Sequence, residues 1–476
     1  MFDNLLLNTD SYKASHAFQY PPNTTRVFSY IESRGGKFDR TVFFGLQGFL
    51  KQYLSRPVTA EQVDEAAEFW AAHGEPFYRE GWDYIVQKHG GVLPVKIRAV
   101  AEGTVVPTHN VLVTVENTDP QCFWLTSFLE TAILRAVWYP TTVATVSWHA
   151  RQAIAGALAK SSENQAQVAF KLQDFGARGV SSQESAAIGG AAHLVNFQGS
   201  DTVSGILYAR KFYGESMAGF SIPAAEHSTI TSWERGGETA AYANMLEKFA
   251  KPGALVAVVS DSYDLMRAVR EIWGGELRDQ IVNSGATLIV RPDSGDPLTV
   301  PVDVVEALGE RFGFTTNSKG YRVLPDCVRV IQGDGITVET LPQILDNLLN
   351  RGWSADNLAF GMGGGLLQQV NRDTQKFAMK ASACEVAGEW RDVFKDPVTD
   401  PGKRSKRGRV TLWTSGGEFE TAVARFHFHP GINVTLKDTR AYSLRLSLSK
   451  REVQLSVLHG MASLEESLYA PQFGVI

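Results

Sequence analysis

The stretch Leu288-Ile289-Val290-Arg291-Pro292-Asp293-Ser294-Gly295-Asp296 joins an apolar run to a polar turn. A short apolar run rich in β-branched residues predicts a strand buried on both faces, and Pro with Ser-Gly prevents its continuation. Arg291 and Asp293 would then lie at the carboxyl end of a parallel strand, where α/β proteins bind their ligands. The alternative for this loop taken alone is an ordinary turn held by a salt bridge.

The same pattern recurs along the middle of the chain. Further apolar runs end in polar or glycine-rich loops at residues 168–172, 220–223, 255–259, 328–331 and 358–360, and another unit is implied at residues 199–201. Helices are predicted between these runs at residues 182–195, 239–249, 262–273, 302–312 and 340–350. A repeating strand and helix with two loops is typical of a barrel whose functional groups share one rim. Residues 161–379 are therefore predicted to form an irregular (β/α) barrel-like domain.

The two ends of the chain lack this alternation and predict a second, α+β domain built from residues 1–160 and 380–476. Strands are predicted at residues 26–32 and at residues 95–116 around a turn at Gly103, and helices at residues 61–72 and 123–137. Asp10 is the predicted N-cap of a helix that holds Tyr12. Strands at residues 410–413 and 421–428 are expected to rejoin the sheet of this domain.

Composition bounds the class of protein. The 476 residues, 44% of them hydrophobic, can bury the cores of two domains. A net charge of −5 and a pI near 6.1 predict neither a nucleic-acid nor a membrane partner. Cys122, Cys327 and Cys384 are widely separated and odd in number, so neither a disulfide framework nor a cysteine-based zinc site is expected. The sequence shows no signal peptide and no run of ~20 apolar residues, so the expected location is the cytoplasm.

Phosphate and ribose binding is the chemistry that the loops predict. The glycines at residues 363–365 precede a predicted helix, and backbone N–H groups at a helix start attract anions. This turn matches neither the Walker pattern nor the dinucleotide-binding G-x-G-x-x-G spacing. Cations elsewhere indicate a ligand with more than one phosphate; they are Arg291, Arg372, Lys380, Lys395 and Lys403. The carboxylates Asp261, Asp293 and Asp334 suit ribose hydroxyls or magnesium.

Lys403 belongs to a basic run at residues 400–409, which is either a solvated loop or a contact for a polyphosphate. No Ser-His-Asp or Cys-His arrangement is evident in the sequence, so covalent attack on the substrate by the protein is not expected.

Long, ordered motifs then resemble the nicotinamide phosphoribosyltransferases over nearly the whole chain. The most distinctive is Asp-Phe-Gly-Ala-Arg-Gly-Val-Ser-Ser-Gln-Glu at residues 174–184, and the others lie at residues 9–13, 115–120, 221–230, 258–264, 289–295, 330–335, 361–367 and 393–404. The resemblance implies a type II phosphoribosyltransferase that acts as a homodimer with shared active sites. Such an enzyme joins nicotinamide to 5-phosphoribosyl 1-pyrophosphate (PRPP), giving nicotinamide mononucleotide and pyrophosphate in NAD salvage. It uses Mg²⁺ and takes ATP as a co-substrate.

The resemblance also implies roles for single residues. Phe175 and the partner subunit's Tyr12 would stack on the pyridine ring, which suits a flat, electron-poor ring. Asp201 would accept the carboxamide N–H and repel a carboxylate, with a helix N-cap as its alternative role. Arg291 would contact nicotinamide and also hold phosphate. The remaining phosphate and ribose contacts would come from Arg178, Gly333, Asp334, Gly363, Gly364, Arg372, Lys380, Lys395 and Lys403, and magnesium would lie near Asp261 and Asp293.

His227, in Pro-Ala-Ala-Glu-His-Ser-Thr, is open to two interpretations. On the sequence alone it is a structural histidine after a strand, whereas the resemblance implies that ATP transiently phosphorylates it. A neutral imidazole can attack a γ-phosphate. Together with Asp261 and Asp293, His227 forms the predicted catalytic set.

Two other functions compete with this interpretation. A nicotinate phosphoribosyltransferase would share the architecture but would not place a carboxylate at the position of Asp201. A non-catalytic binding or signalling protein would have no need of every phosphate-binding motif.

Overall fold

Two units, each with its own sheet and core, make up the chain. The structure is a computed structural model and describes residues 4–399, 404–415, 418–423 and 442–444. Unit 1 comprises Met1–Thr145, Phe212–Gly214 and Asn371–Ile476, and unit 2 comprises Val146–Lys211 and Glu215–Val370.

The strands, in chain order, are β1 (Thr24–Ser33), β2 (Arg40–Val42), β3 (Val95–Ala99), β4 (Val105–Pro107), β5 (Val111–Asn117), β6 (Leu172–Asp174), β7 (Gly199–Ser200), β8 (Leu255–Val259), β9 (Thr287–Arg291), β10 (Thr315–Thr316), β11 (Arg322–Val323), β12 (Val328–Gln332), β13 (Leu358–Met362), β14 (Phe377–Val386), β15 (Glu389–Asp392), β16 (Val410–Ser415), β17 (Glu418–Val423) and β18 (Tyr442–Leu444).

The α-helices are α1 (Leu46–Phe49), α2 (Ala60–His73), α3 (Arg79–His89), α4 (Leu125–Phe128), α5 (Glu130–Ser161), α6 (Gln183–His193), α7 (Val203–Tyr208), α8 (His227–Thr231), α9 (Glu238–Phe249), α10 (Leu265–Arg267), α11 (Arg278–Ser284), α12 (Val300–Phe312), α13 (Thr340–Asn350) and α14 (Gly364–Leu367). Shorter 3-10 turns and π-helical segments, such as Ala268–Glu276 after α10, lie between them. In the described residues, no helix is long and apolar enough to cross a bilayer.

Unit 2 is built on a parallel sheet with the order β7-β6-β13-β12-β9-β8. The segment before α8 bridges both edges of this sheet, because Phe220 pairs with Gly199 and Ala224 pairs with Ala257, both in parallel. The sheet therefore curls into a barrel-like ring, which confirms the predicted fold class. In β9, Val290 is fully buried between Val258 of β8 and Val330 of β12.

Helix α13 shows why the sequence pattern predicted the unit 2 helices well. Leu341, Ile344, Leu345 and Leu348 recur at the three- and four-residue spacing of one helix face, and all four are buried. Each such side chain stabilises the fold by about 2 kcal/mol on burial. A charge at position 345 would break the contact of this helix with the core.

Unit 1 contains an antiparallel sheet with the order β15-β14-β1-β5-β3-β18, so its first and last segments share one sheet. Its core holds Ile31 and Val113 of this sheet with Trp82 of α3 and Trp124 beside α4. This α+β architecture confirms the second part of the predicted fold class.

Several local predictions need correction. Residues 166–170 form a 3-10 turn, so β6 begins only at Leu172, and the predicted strand at residues 220–223 contributes one isolated bridge, at Phe220. β16 and β17 pair with each other in a separate two-stranded sheet, and β18 joins the main sheet instead. Residues 424–428 lie outside the described residues. Asp10 occupies the predicted N-cap position, but of a 3-10 helix, and its side chain makes no capping hydrogen bond; its carboxylate accepts from the Thr131 hydroxyl instead.

Candidate active site

The predicted site residues of unit 2 follow its strands, at the carboxyl ends of the sheet. Because the strands are parallel, their carboxyl ends lie on the same rim. Phe175 follows β6, Asp201 follows β7, Asp261 follows β8, Arg291 ends β9 with Asp293 after it, Gly333 and Asp334 follow β12, and Gly363 and Gly364 follow β13.

His227 is the first residue of α8 and lies between two carboxylates. Its Nε2 is 2.9 Å from Oδ1 of Asp261, and its Nδ1 is 3.9 Å from Oδ2 of Asp293. The Asp261 side chain is 5% exposed, whereas the imidazole is 45% exposed. A histidine oriented by a buried carboxylate but open to solvent suits chemistry with an incoming group better than a role in packing.

Arg291 and Asp293 form the ion pair expected of a turn, with Nη2 of the guanidinium 3.2 Å from Oδ2 of the carboxylate. The ion pair does not use all the hydrogen-bond donors of Arg291, because its buried Nε has no hydrogen-bond partner among the described residues. Ser262 Oγ and Gln332 Oε1, which follow β8 and end β12, are buried and unpartnered in the same way. Buried polar atoms nearly always have partners, so this rim is suited to a polar ligand.

Phe175 lies against Gly361 of β13 and against Gly333, which follows β12. A Cβ built on Gly361 would be 2.0 Å from Cε2 of the ring, so a side chain at this position would displace the phenyl group. A Cβ on Gly333 would be 3.5 Å from the same ring atom and 3.6 Å from Oδ1 of Asp293. The aromatic face is therefore next to the Arg291–Asp293 pair, as binding a ring beside a ribose requires.

Asp201 is exposed and its carboxylate accepts a hydrogen bond from the Ser221 hydroxyl. Its backbone N–H donates to the Asp174 carbonyl at 3.0 Å, which ties the loop after β7 to the end of β6. The N-cap residue of α7 is Thr202, so the alternative role of Asp201 as a helix N-cap is wrong.

The predicted phosphate contacts Arg178, Gly363 and Gly364 lie together. Arg178 is exposed in a 3-10 turn, and a Cβ on the adjacent Gly179 would be 3.8 Å from the backbone N of Gly364. Among the described residues outside its own helix and chain neighbours, no atom would lie within 4 Å of a Cβ on Gly364, so its backbone faces open space. Asp334 is exposed on the neighbouring loop, where its carbonyl accepts from Gln332.

The other predicted contacts belong to unit 1. Tyr12 is 54% exposed, Arg372 and Lys395 are exposed, and Lys380 is in β14 opposite Tyr30. Burial lowers the pKa of Lys380, and the positive charges of Arg34, Lys13 and Arg372 lower it further, against the opposing effect of Glu130. Arg34 of this cationic group was not predicted from the sequence. Only its position, directly after β1, could have indicated it.

Most of the basic run in the described residues forms ion pairs within unit 1. Lys406 pairs with Glu32, Arg409 with Glu116, and Arg404 with Asp396. These three side chains are therefore engaged by carboxylates. Lys403, the predicted phosphate contact of this run, lies outside the described residues.

Two places could be considered for a metal. Asp261 and Asp293 flank His227 on the rim and offer the one or two carboxylates that Mg²⁺ combines with phosphate oxygens. His89, Asp119 and Cys122 of unit 1 also lie together, with ligand atoms within 4.8 Å of one another. Burial raises the pKa of Cys122 to about 12, and Asp119 already accepts from Tyr84 and binds His89. This second group is accounted for as packing and hydrogen bonding, and the rim carboxylates fit magnesium.

Comparison with known proteins gives the family. The nicotinate phosphoribosyltransferase (NAPRTase) family matches residues 170–438, and the N-terminal domain of nicotinamide phosphoribosyltransferase matches residues 4–97. A nicotinamide phosphoribosyltransferase of Xanthomonas campestris is 61% identical over 88% of this chain and 90% of its own length. One from Acinetobacter baylyi is 32% identical over 87% of this chain and 89% of its own.

Two solved structures share the fold. The nicotinate-nucleotide pyrophosphorylase of Pyrococcus furiosus has a TM-score of 0.55 at 15% identity, covering 89% of this chain and 85% of its own. Human nicotinic acid phosphoribosyltransferase has a TM-score of 0.51 at 20% identity, covering 80% and 75%. At these identities the likeness concerns architecture, and the sequence relatives confirm the resemblance noted from the motifs. The chain therefore belongs to the nicotinate phosphoribosyltransferase family and, within it, to the nicotinamide phosphoribosyltransferases.

Proposed function

We propose that this chain transfers the phosphoribosyl group of PRPP to nicotinamide, giving nicotinamide mononucleotide and pyrophosphate for NAD salvage. The observation that carries this proposal is the 61% identity to the Xanthomonas nicotinamide phosphoribosyltransferase over nearly the whole chain. The rim of unit 2 supports it, because the Phe175 ring, the Arg291–Asp293 pair and the Gly363–Gly364 backbone lie on one edge of one sheet.

The reaction requires little covalent chemistry from the protein. Departure of pyrophosphate leaves positive charge on the ribose C1 and ring oxygen, while the pyridine nitrogen attacks with its own lone pair. No general base is needed for this attack. The protein holds the two reactants in line, through Phe175 on the ring and Asp293 beside the ribose, and Arg291 and Arg178 neutralise the phosphate charge.

Asp201 would select the amide substrate. Its exposed carboxylate can accept the carboxamide N–H of nicotinamide, whereas the carboxylate of nicotinate at the same place would repel it. The hydrogen bond from Ser221 holds the acceptor in position. We infer that the chain prefers nicotinamide to nicotinate for this reason.

Mg²⁺ fits the carboxylates of Asp261 and Asp293. When bound, the ion would neutralise pyrophosphate charge as the leaving group departs. The protein's own contribution is to hold both carboxylates beside His227 on the rim.

His227 would couple the reaction to ATP. In this proposal an imidazole nitrogen attacks the γ-phosphorus of ATP, the bond from that phosphorus to the β–γ bridging oxygen breaks, and ADP leaves. Water later cleaves the P–N bond and releases phosphate. The orientation of the ring supports this step. Its Nε2 is close to Asp261, and its Nδ1 faces the more distant Asp293.

The active form would be a homodimer in which each site takes Tyr12 from the partner copy. Tyr12 is half exposed on its own protomer, so its ring is available to stack on a pyridine ring. Cytoplasmic location is proposed because Cys122, Cys327 and Cys384 are free thiols in the structure.

A turnover assay tests the proposal. The purified chain is given PRPP and Mg²⁺ with either nicotinamide or nicotinate, with and without ATP, and the mononucleotide is measured by mass spectrometry. We expect nicotinamide mononucleotide as the main product and faster synthesis with ATP. Faster formation of the nicotinate product would make the chain a nicotinate phosphoribosyltransferase. Absence of product from either base would contradict a catalytic function and favour a non-catalytic binding protein.

A further inference from the structure

Asp174 is a buried carboxylate that connects two parts of the pyridine pocket, and no role assigned above uses it. It ends β6, directly before Phe175, and its side chain has no exposed surface. A fully buried carboxylate is costly unless its oxygens are satisfied. Its hydrogen bonds therefore indicate what it does.

One carboxylate oxygen fixes the turn that carries Phe175. Oδ1 accepts the backbone N–H of Gly176 at 2.8 Å, so the carboxylate spans the residue between them. On the other side, the Phe175 N–H donates to the Met362 carbonyl at 3.0 Å. These two bonds hold the backbone of Phe175 while its ring lies over Gly361.

The backbone of Asp174 also fixes Asp201. Its carbonyl accepts the Asp201 N–H at 3.0 Å, and Asp174 pairs with Ser200 across β6 and β7. The residue that would hold the ring and the residue that would bind the amide are therefore tied to the same amino acid. The two acids, one buried and one exposed, lie on adjacent strand ends.

The second carboxylate oxygen is not balanced by a cation. Oδ2 has no hydrogen bond among the described residues, and it lies beside the Thr202 side chain and the backbone of Gly190 in α6. Burial raises the pKa of Asp174 to about 6, the Gly176 and Thr202 groups oppose this rise, and the negative charge of Asp201 adds to it. Near neutrality Asp174 is thus a negative charge behind Asp201.

Within the described part of the chain, no cation is among the groups that shift the pKa of Asp174. On α6, burial lowers the pKa of His193 to about 4, so its ring is neutral, and it bonds to the Gly199 carbonyl. Arg178, in the turn after Phe175, has an exposed side chain. Asp201, on the loop after β7, has the same sign as Asp174.

We propose that Asp174 is a positioning and specificity residue, which fixes the Phe175 turn and places a second negative charge against the carboxylate of nicotinate. This inference rests on the nicotinamide chemistry proposed for the same site. Asp174 acts through Phe175 and Asp201 and has no contact with substrate itself. Like charges several ångströms apart in a partly desolvated site change binding by roughly five- to tenfold.

The test compares kcat/KM for nicotinamide and nicotinate without ATP, at pH 5.5 and pH 7.5, so that His227 does not enter. In the unsubstituted chain we expect nicotinate use relative to nicotinamide to increase by roughly fivefold at the lower pH, through the nicotinate KM. Asp174→Asn keeps the acceptor for Gly176, and should raise this ratio by the same factor at pH 7.5 and abolish its pH dependence. Asp356→Asn is the matched control.

Asp356 precedes β13, at the amino ends of the strands, where its carboxylate accepts hydrogen bonds from Ser162 and Ser354. Its substitution should leave the ratio and the pH dependence unchanged. If Asp174→Asn does not fold, Thr202→Val serves instead, because loss of the hydroxyl beside Oδ2 should move the midpoint of the pH dependence upward. An unchanged ratio of nicotinate to nicotinamide use in folded Asp174→Asn protein would overturn the inference, and so would an unmoved midpoint of the pH dependence in Thr202→Val. Product formation from nicotinamide would still uphold the proposed function in that case. No product from nicotinamide in the unsubstituted chain would overturn the proposed function.

Discussion

Gly361→Ala offers a sharp test of the pyridine pocket, because the three described atoms nearest to the added methyl group all belong to the ring proposed to hold nicotinamide. The added methyl carbon would lie 2.0, 2.2 and 2.9 Å from Cε2, Cδ2 and Cζ of Phe175. The backbone at Gly361 is not in the left-handed region, so alanine is conformationally acceptable there. The ring must therefore retreat by more than about 1.5 Å to reach an ordinary carbon–carbon distance.

The expected effect follows from the contacts that the ring would lose. An aligned aromatic pair contributes about 1 kcal/mol beyond its buried area. Loss of roughly 40 Å² of apolar contact with the pyridine ring costs about 1 kcal/mol more. The sum of about 2 kcal/mol predicts a rise of about 30-fold in the nicotinamide KM.

The assay is steady-state synthesis of nicotinamide mononucleotide with each substrate varied in turn. Gly364→Ala is the matched control, since a Cβ at Gly364 would clash with none of the described residues but would lie where the phosphate is proposed to bind. Gly361→Ala should raise the nicotinamide KM and leave that of PRPP nearly unchanged, and Gly364→Ala should do the reverse. A nicotinamide KM within threefold of the parent value, in Gly361→Ala protein of unchanged thermal stability, would refute the proposed position of the ring.

Three other predictions concern coupling, assembly and stability. His227→Ala should lose ATP stimulation but keep slow ATP-independent synthesis, and undiminished stimulation would remove the phosphohistidine. Tyr12→Ala and Phe175→Ala proteins, each nearly inactive, should regain about a quarter of full activity when subunits are mixed and exchanged, because half of the dimers then contain one intact site; no recovery despite exchange would contradict shared sites. The folded pKa of Asp174, about 6, exceeds the ordinary 3.8, so this group's contribution to stability is lost as the pH rises through 6. Asp174→Asn should thus be more stable than the parent by about 3 kcal/mol at pH 7.5 but not at pH 4, and urea unfolding without that difference would argue against the shift.

Much of unit 2 was predictable because burial on both faces of a strand leaves a clear trace in the sequence. The runs at residues 255–259 and 340–350 match β8 and α13 at both ends. β9 also ends at the polar turn that the sequence indicated. Parallel strands then put their following loops on one rim, so the gathering of the site residues in unit 2 required only the order of the elements.

Other features depend on contacts that sequence spacing does not encode. The apolar residues before Leu172 form a 3-10 turn, because a short apolar run serves a turn as well as a strand. β16 and β17 pair locally, since two adjacent strands can bond to each other more readily than to a distant sheet.

The pairing of particular side chains was equally out of reach. His227 and Asp261 are 34 positions apart, and only the closure of the sheet through the segment before α8 brings them to 2.9 Å. No separate role was predicted for Asp174, because in the sequence it is only one residue of the motif around Phe175. Its significance lies in its burial and in the bond from Gly176.

A crystal structure with nicotinamide mononucleotide and pyrophosphate would show whether the rim of unit 2 binds the products. We expect the pyridine ring to lie against Phe175 and its amide to bind Asp201. The 5′-phosphate should lie at Gly363 and Gly364, and pyrophosphate beside Asp261 and Asp293. Product bound at the amino ends of the unit 2 strands, or on unit 1 alone, would contradict the proposed site.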